Sequence, residues 1–174
     1  MLFIGFIAVF VSVYCTVSRT VDGIKRKRAE YSAIVALLVH IRAALSSGGG
    51  SLCGILRGFK SKPLLDNGLL GVLAADAVGS GNGNAVFREN GSCFFRDNLS
   101  GLRFVIDESD AKKLISYFEG YGKSCLEEEK RKLSEITDHF SAVEKSFCEK
   151  SERDVRAAWI VFAFSFIGAF ILLI

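Results

Sequence analysis

The chain has 174 residues, of which 24% are charged, and yet its mean hydropathy is +0.33. The two values are compatible because the charge is unevenly distributed: all 22 Lys and Arg and all 19 Asp and Glu lie between residues 19 and 156. A formal charge of only +3 and regularly spaced apolar residues exclude an intrinsically disordered chain and a strongly basic nucleic-acid-binding protein. The pattern indicates one polar domain with an apolar segment at each end.

The two apolar segments, residues 1–18 and 157–174, are predicted to be transmembrane helices. As a helix, each would extend about 27 Å, which is close to the roughly 30 Å hydrocarbon core of a bilayer. Trp159 stands near the charged flank of the second segment, where an indole ring favours the membrane interface. A cleaved signal peptide is the alternative for the first segment. No Lys or Arg precedes it and residues 16–18 form a poor cleavage site, so we favour an uncleaved anchor.

Basic residues flank both apolar segments on the side of the polar domain. Because Lys and Arg beside membrane segments favour the cytoplasm, residues 19–156 are predicted to be cytoplasmic and both ends of the chain to face the other side. The five cysteines form no CxxC pair, which indicates reduced thiols and a reducing compartment. The flanking cations are Arg19, Lys25, Arg26, Lys27 and Arg28 after the first segment, and Lys145, Lys150, Arg153 and Arg156 before the second.

Helical periodicity dominates the first half of the polar domain. Apolar residues at i, i+3, i+4, i+7 and i+11 predict an amphipathic helix from Arg26 to Leu45, which ends at a Ser/Gly run. Ser51 is predicted to cap a short helix that ends at Pro63, and residues 64–78 are predicted to form another helix. The Gly-rich residues 79–84 are predicted to form a loop.

The second half of the domain ends in the most regular pattern of the chain. A helix is predicted from Ser109 or Asp110 to Gly120, and a long helix from Ser124 towards Ile174. Residues 85–108 are less clear: we favour helix, and a small hairpin stays open. The fold prediction is all-α, with a cytoplasmic helical bundle (19–156) between N- and C-terminal transmembrane helices. The long helix presents an apolar seam of Leu126, Leu133, Ile136, Phe140, Val143 and Phe147.

No motif in the sequence predicts a catalytic, cofactor or metal site, and we expect no enzyme activity. Gly122-Lys123-Ser124 resembles the end of a phosphate-binding P-loop, but Tyr117 stands where the motif requires Gly, and a helix rather than a strand precedes it. The two histidines, His40 and His139, lack partners at ligand or catalytic spacing, so they are predicted to be structural or solvated.

Glu127, Glu128 and Glu129 are followed directly by Lys130-Arg131-Lys132. Such a run is most often an exposed helix face with i,i+3 and i,i+4 ion pairs. The alternative is that the three glutamates form a docking surface for a protein partner. They are the only candidate site residues that the sequence provides.

Three segments carry a resemblance to a known family. Residues 45–56 (LSSGGGSLCGIL) look like a helix–turn–helix stretch, residues 121–124 (YGKS) like a later glycine turn before a long charged helix, and residues 168–174 (GAFILLI) like an apolar terminal run. In this order they resemble the stage III sporulation protein AB family of endospore-forming Firmicutes.

The resemblance implies a non-enzymatic platform in a secretion-like channel complex between mother cell and forespore. It implies a cytoplasmic domain similar to the type II secretion inner-membrane platform domain, with a secretion-type ATPase and other sporulation channel subunits as partners. It also implies residence in the outer forespore membrane, on the mother-cell side, and no nucleic acid or small-molecule substrate. Two alternatives remain: a membrane-anchored signalling or adaptor protein, and a membrane enzyme that uses residues 85–108.

Overall fold

The computed structural model describes residues 2–47, 55–56, 58–78, 102–122 and 124–171. Within these ranges every regular element is a helix, and the all-α prediction is confirmed for them. The predictions for the cap at Ser51, the loop 79–84 and residues 85–101 lie outside the described residues. The helices are α1 (Leu2–Ser46), α2 (Lys62–Asp66), α3 (Leu69–Val78), α4 (Glu108–Gly120) and α5 (Leu126–Ile171).

The chain divides into two compact units, to both of which α1 and α5 contribute. Residues 1–28 and 145–174 form one unit, here called the terminal hairpin, and residues 29–144 form the other, here called the central domain. The predicted cytoplasmic domain, 19–156, is therefore longer than the compact central unit. Residues 19–28 and 145–156 group with the chain ends.

The core of the central domain consists of the apolar faces that the sequence pattern predicts. The stripe on α1 is fully buried at four of its positions, and α4 and α5 contribute large side chains with no exposed area. Burying an aliphatic or aromatic side chain contributes about 1.5–3 kcal/mol each, so these residues dominate the stability of the domain. The fully buried residues include Tyr31, Ile34, Leu37, Leu38, Ile41, Leu64, Leu69, Leu114, Leu133 and Phe140.

In the terminal hairpin, α1 and α5 run antiparallel. The Phe10 ring lies 5.2 Å from Phe162 and 5.3 Å from Phe166, whereas the Lys27 ammonium lies 5.2 Å above the Phe147 ring. The pairing continues at Arg28, which is 3.9 Å from Glu152. Large apolar side chains remain exposed on the apolar part of this pair: Val11, Tyr14, Trp159, Ile160, Val161, Phe164, Phe166 and Ile167.

Among the described helices, α1 is the one that is long and apolar enough to cross a membrane: the candidate span is Phe10–Ser46, and it contains an 18-residue stretch with a mean hydropathy of 1.3. Between Phe10 and Ser46, the only 18-residue stretch with no more than two charged residues is 29–46. Its apolar stripe is the core of the central domain. Membrane crossing by residues 1–18 and by 157–174 therefore stays a prediction, based on the composition of these segments.

The predicted helix 64–78 is two helices. Gly68 has a φ of 86°, a left-handed conformation that favours glycine, and it separates α2 from α3. Asn67 stabilises the break, since its side-chain oxygen accepts a hydrogen bond from the Leu69 amide at 2.9 Å. Pro63 lies in the first turn of α2 rather than after a helix, a position where its missing N–H costs nothing.

Helix was the favoured prediction for residues 102–107, and it is wrong. This segment has no helix, because its amides bond elsewhere: those of Val105 and Ile106 donate to Glu30 Oε2 at 2.6 and 3.1 Å. The Arg103 amide donates to the Asn67 carbonyl at 3.0 Å. Asp107, rather than Ser109 or Asp110, is the residue that precedes α4 in the N-cap position.

Alanine substitution at two glycines three residues apart is expected to change the free energy of unfolding in opposite directions. Gly68→Ala should lower the free energy of unfolding by about 1 kcal/mol or more, because φ is positive there. Gly71→Ala should raise it by about 0.5–1 kcal/mol, because Gly71 lies inside α3 and an added Cβ meets nothing within 4 Å. Denaturant unfolding of both variants, followed by circular dichroism, measures the difference; a change of the same sign in both would contradict the assigned break.

Candidate functional site

An open cleft lies between α4 and the first four turns of α5. Its volume is about 500 Å³. Its lining residues recur at helical spacing, so one face of each helix forms one wall. The α4 wall contains Lys113, Ser116, Tyr117 and Gly120, and the α5 wall contains Glu129, Lys132, Glu135, Ile136 and His139.

Glu129 is the buried acidic residue of this cleft, with only 5% of its surface exposed. Its Oε1 accepts hydrogen bonds from the amides of Gly122 and Ser124, at 3.2 and 3.3 Å. The other oxygen, Oε2, is buried and accepts no hydrogen bond, and the buried hydroxyl of Tyr117 is likewise without a partner. Buried polar atoms in native proteins are almost always hydrogen-bonded, so two exceptions in residues that line one cleft are unusual.

The three described cations that follow Glu129 in sequence are engaged by other carboxylates. Lys130 lies 3.3 Å from Glu127, and Arg131 is paired with Glu135. Lys132 lies 3.1 Å from Glu128, and it also donates to the Ser124 hydroxyl at 2.6 Å.

Burial and the charge of Glu129 affect the tyrosines at this end of the cleft. The pKa of Tyr117 is raised well above its usual value, chiefly by burial and then by the charges of Tyr121 and Glu129. Burial, followed by the charge of Glu129, raises the pKa of Tyr121 to about 12. Both phenols therefore stay neutral hydrogen-bonding groups at physiological pH.

The turn around Gly122 is not available to a phosphate. Gly122 has a φ of 79°, and its amide and that of Ser124 point at Glu129 Oε1 instead of an empty anion site. A P-loop needs such amides free to encircle phosphate oxygens. An internal carboxylate occupies their place, which supports the rejection of a P-loop from the sequence.

At the opposite end of the cleft, hydrogen bonds join His139 to Asp110. His139 Nε2 lies 3.1 Å from Asp110 Oδ1, and the Tyr31 hydroxyl donates to Asp110 Oδ2 at 2.7 Å. Burial, followed by the hydrogen bond to Asp110, raises the pKa of Tyr31 far above its usual value. Lys113 Nζ approaches the same His139 nitrogen at 3.4 Å.

This group does not have the arrangement of a nucleophile relay. A His that serves such a relay uses one ring nitrogen for the carboxylate and the other for the nucleophile. In His139 the same nitrogen, Nε2, faces both Asp110 and Lys113, so it can donate to the first or accept from the second but not both. The contacts tie α4, α5 and α1 together.

The predicted acidic run divides into exposed and buried members. Glu127 and Glu128 are exposed, with side chains 83% and 45% accessible, and each is paired with a lysine as predicted. The expectation that all three lie on an exposed face is wrong for Glu129, whose carboxylate binds backbone amides of the preceding turn. Partner docking by Glu127, Glu128 and Glu129 stays a prediction.

The histidines have partners that sequence spacing did not reveal. His40 Nε2 lies 3.0 Å from the Ile55 carbonyl oxygen, a structural role as predicted. His139 has a partner on another helix, Asp110, which is 29 residues away in sequence. One sequence signal could have indicated the α4 wall of the cleft. The spacing of Lys113, Ser116 and Tyr117 places three polar groups on one face of α4.

Among the described residues, no group of three or more His, Cys, Asp or Glu is arranged to hold a metal ion. No protein-family model, curated protein or solved structure matches the chain.

The raised tyrosine pKa values predict loss of stability at alkaline pH. An unfolded Tyr ionises near pH 10, while Tyr121 in the folded chain ionises at about 12 and Tyr31 and Tyr117 retain their protons still longer. The folded state then binds more protons, so the free energy of unfolding falls as pH rises above 10. Unfolding midpoints measured between pH 8 and about 12 should decline, and less steeply in Tyr121→Phe. An unchanged slope in that variant would show that Tyr121 is not the coupled group.

Proposed function

We propose that the chain is a non-enzymatic, membrane-anchored platform protein in which residues 1–18 and 157–174 both cross the bilayer. The observation that carries this is the antiparallel contact between the two apolar ends, Phe10 with Phe162 and Phe166. Large apolar side chains on the outside of this helix pair are unusually exposed: 68% for Phe164 and 61% for Val161. Exposed apolar surface of this extent is typical of lipid or protein contact.

The flanking charges support a cytoplasmic central domain. Basic residues follow residue 18 on α1 and precede residue 157 on α5, and antiparallel helices bring both groups to the same end of the hairpin. The positive-inside preference and the attraction of Lys and Arg to anionic head groups both favour that end in the cytoplasm.

The specific role follows from the resemblance to the stage III sporulation protein AB family. In this role the platform couples a cytoplasmic secretion ATPase to the membrane subunits of a sporulation channel, in the outer forespore membrane on the mother-cell side. The helices α1 and α5 suit such coupling, because each is continuous from an apolar end into the central domain.

Co-purification tests the ATPase partnership. The tagged full chain, extracted in detergent from sporulating cells, is expected to retain a secretion-type ATPase. The charge reversals Glu127→Lys and Glu128→Lys together should abolish that retention, because both side chains are exposed. Reversal at Glu149 and Asp154, two exposed acidic residues elsewhere on α5, is the matched control and should leave it unchanged.

The outcomes separate the partner from the surface. If the unmodified chain retains no ATPase, the proposed role is wrong. If both double variants retain it equally, the partner stands and the predicted docking surface at Glu127 and Glu128 is discarded.

A further inference from the structure

Glu129 and Tyr117 both line the α4–α5 cleft, and each has one buried polar atom without a hydrogen-bond partner. We propose that this cleft binds a guanidinium or primary ammonium group, accepted by Oε2 of Glu129 beside the hydroxyl of Tyr117. Both atoms are buried and without a hydrogen-bond partner, and both residues line the same 500 Å³ cleft. This site goes beyond the platform role, and its test does not depend on that role.

The charge of Glu129 selects a cation rather than a neutral donor. The residue is only 5% exposed, and none of the ion pairs among the described residues includes it. Buried carboxylates are normally paired with a cation or coordinate a metal. Two backbone amides satisfy Oε1 alone, so Oε2 keeps its full capacity to accept from a charged donor.

The neighbouring lysines and arginine do not supply this cation. Lys130, Arg131 and Lys132 are paired with Glu127, Glu135 and Glu128 respectively. Because Lys132 is held by both Glu128 and Ser124, a move to Glu129 would break two interactions. Among the described residues, none of these three cations is free to pair with Oε2 of Glu129, and in the proposed site a separate molecule takes that role.

The other end of the cleft restricts what that molecule is. Glu129 and His139 are ten residues apart on α5, or about 15 Å along the helix. Lys113 and the Asp110 carboxylate both lie beside His139 at the far end, so their opposite charges leave no net attraction there for a second cation. The site suits a single cationic head on a neutral stem, such as an arginine side chain or a free alkylguanidine.

Titration of the isotope-labelled full chain in detergent micelles tests this site. The amide resonances of Gly122 and Ser124 report on Glu129, since both amides bond its Oε1. Ethylguanidinium is expected to shift both resonances in a saturable manner. Tetramethylammonium carries the same charge but no N–H donor, and it should bind at least about tenfold more weakly.

Matched variants identify the acceptor. Glu129→Gln keeps a carbonyl for the two amides but loses the charge, and should weaken ethylguanidinium binding by at least about tenfold. Tyr117→Phe should weaken it by about fivefold, through loss of one hydrogen bond. Glu127→Gln, an exposed member of the same acidic run, should change it less than twofold. The amide spectrum of each variant shows whether the fold is retained.

Each result has a defined meaning. Equal binding of ethylguanidinium and tetramethylammonium, the absence of saturable binding, or a Glu129→Gln variant that binds as well as the parent chain would overturn the site. Titration with the peptide acetyl-Gly-Arg-Gly-amide identifies the source of the cation. Tighter binding of this peptide than of ethylguanidinium supports a partner protein's arginine, whereas binding of ethylguanidinium alone supports a free small molecule.

Discussion

Replacing Glu30 with Ala is expected to lower the free energy of unfolding by about 4 kcal/mol, enough to unfold a marginally stable domain. Glu30 is 2% exposed and lies on α1, where its carboxylate accepts three hydrogen bonds. Oε1 accepts from Asn67 Nδ2 at 2.6 Å, and Oε2 accepts from the amides of Val105 and Ile106. Truncation leaves two buried donors, Asn67 Nδ2 and the Ile106 amide, and the partly buried Val105 amide without an acceptor, and each buried donor costs about 1–3 kcal/mol.

Two further variants separate the hydrogen bonds from the charge. Glu30→Gln keeps one acceptor and should cost less than half as much as Glu30→Ala, because part of the network survives. Glu127→Ala removes an exposed carboxylate and should change stability by less than about 0.5 kcal/mol. Denaturant unfolding of the full chain in detergent measures all three. A Glu30→Ala variant as stable as Glu127→Ala would show that the segment 102–107 is not held through Glu30.

Phe140→Ala is expected to cost about 3–5 kcal/mol, the second large effect, while Phe164→Ala on the same helix should cost almost nothing in detergent. Phe140 has no exposed surface and packs against Tyr31, with ring centroids 6.4 Å apart. Its truncation loses the transfer free energy and leaves a cavity between α1 and α5. Phe164 is 68% exposed, so its removal leaves no cavity.

The two substitutions change the same residue type on the same helix, so helix propensity cancels between them. Unfolding of the central domain, followed by denaturant titration of the full chain, gives both values. If Phe164→Ala destabilised as strongly as Phe140→Ala, the apolar end of α5 would be packed inside protein rather than facing lipid or detergent. That outcome would contradict the membrane assignment of residues 157–174.

The helices that depend on local signals were predictable from the sequence. The stripe on α1 and the seam on α5 follow the helical repeat, and their members Ile41, Leu133 and Phe140 are buried as predicted. The helix ends at Ser46 and Gly120 also follow, because the residues next to them disfavour helix. Not every seam residue is buried: Leu126 at the start of α5 is 52% exposed.

The features that sequence reasoning missed depend on contacts between distant residues. Residues 102–107 were predicted as helix from their apolar content, but Glu30, 75 residues earlier, takes the Val105 amide. Likewise, the sequence predicts a solvated helix face for Glu129, because runs of charged residues are usually exposed. The turn at Gly122 and Ser124 instead folds its amides onto that carboxylate. The helical repeat predicts which face of a helix is buried. It does not predict which buried carboxylate accepts hydrogen bonds from the backbone of another segment.

Cysteine labelling tests the central claim, a cytoplasmic domain on two membrane-spanning ends. Cys125 is exposed and lies in the central domain, just before α5. In a variant that retains Cys125 alone, a membrane-impermeant maleimide added to intact cells should give no labelling, and the same reagent after the membrane is opened should label fully. Labelling of Cys125 in intact cells, to the extent seen in opened cells, would contradict the account.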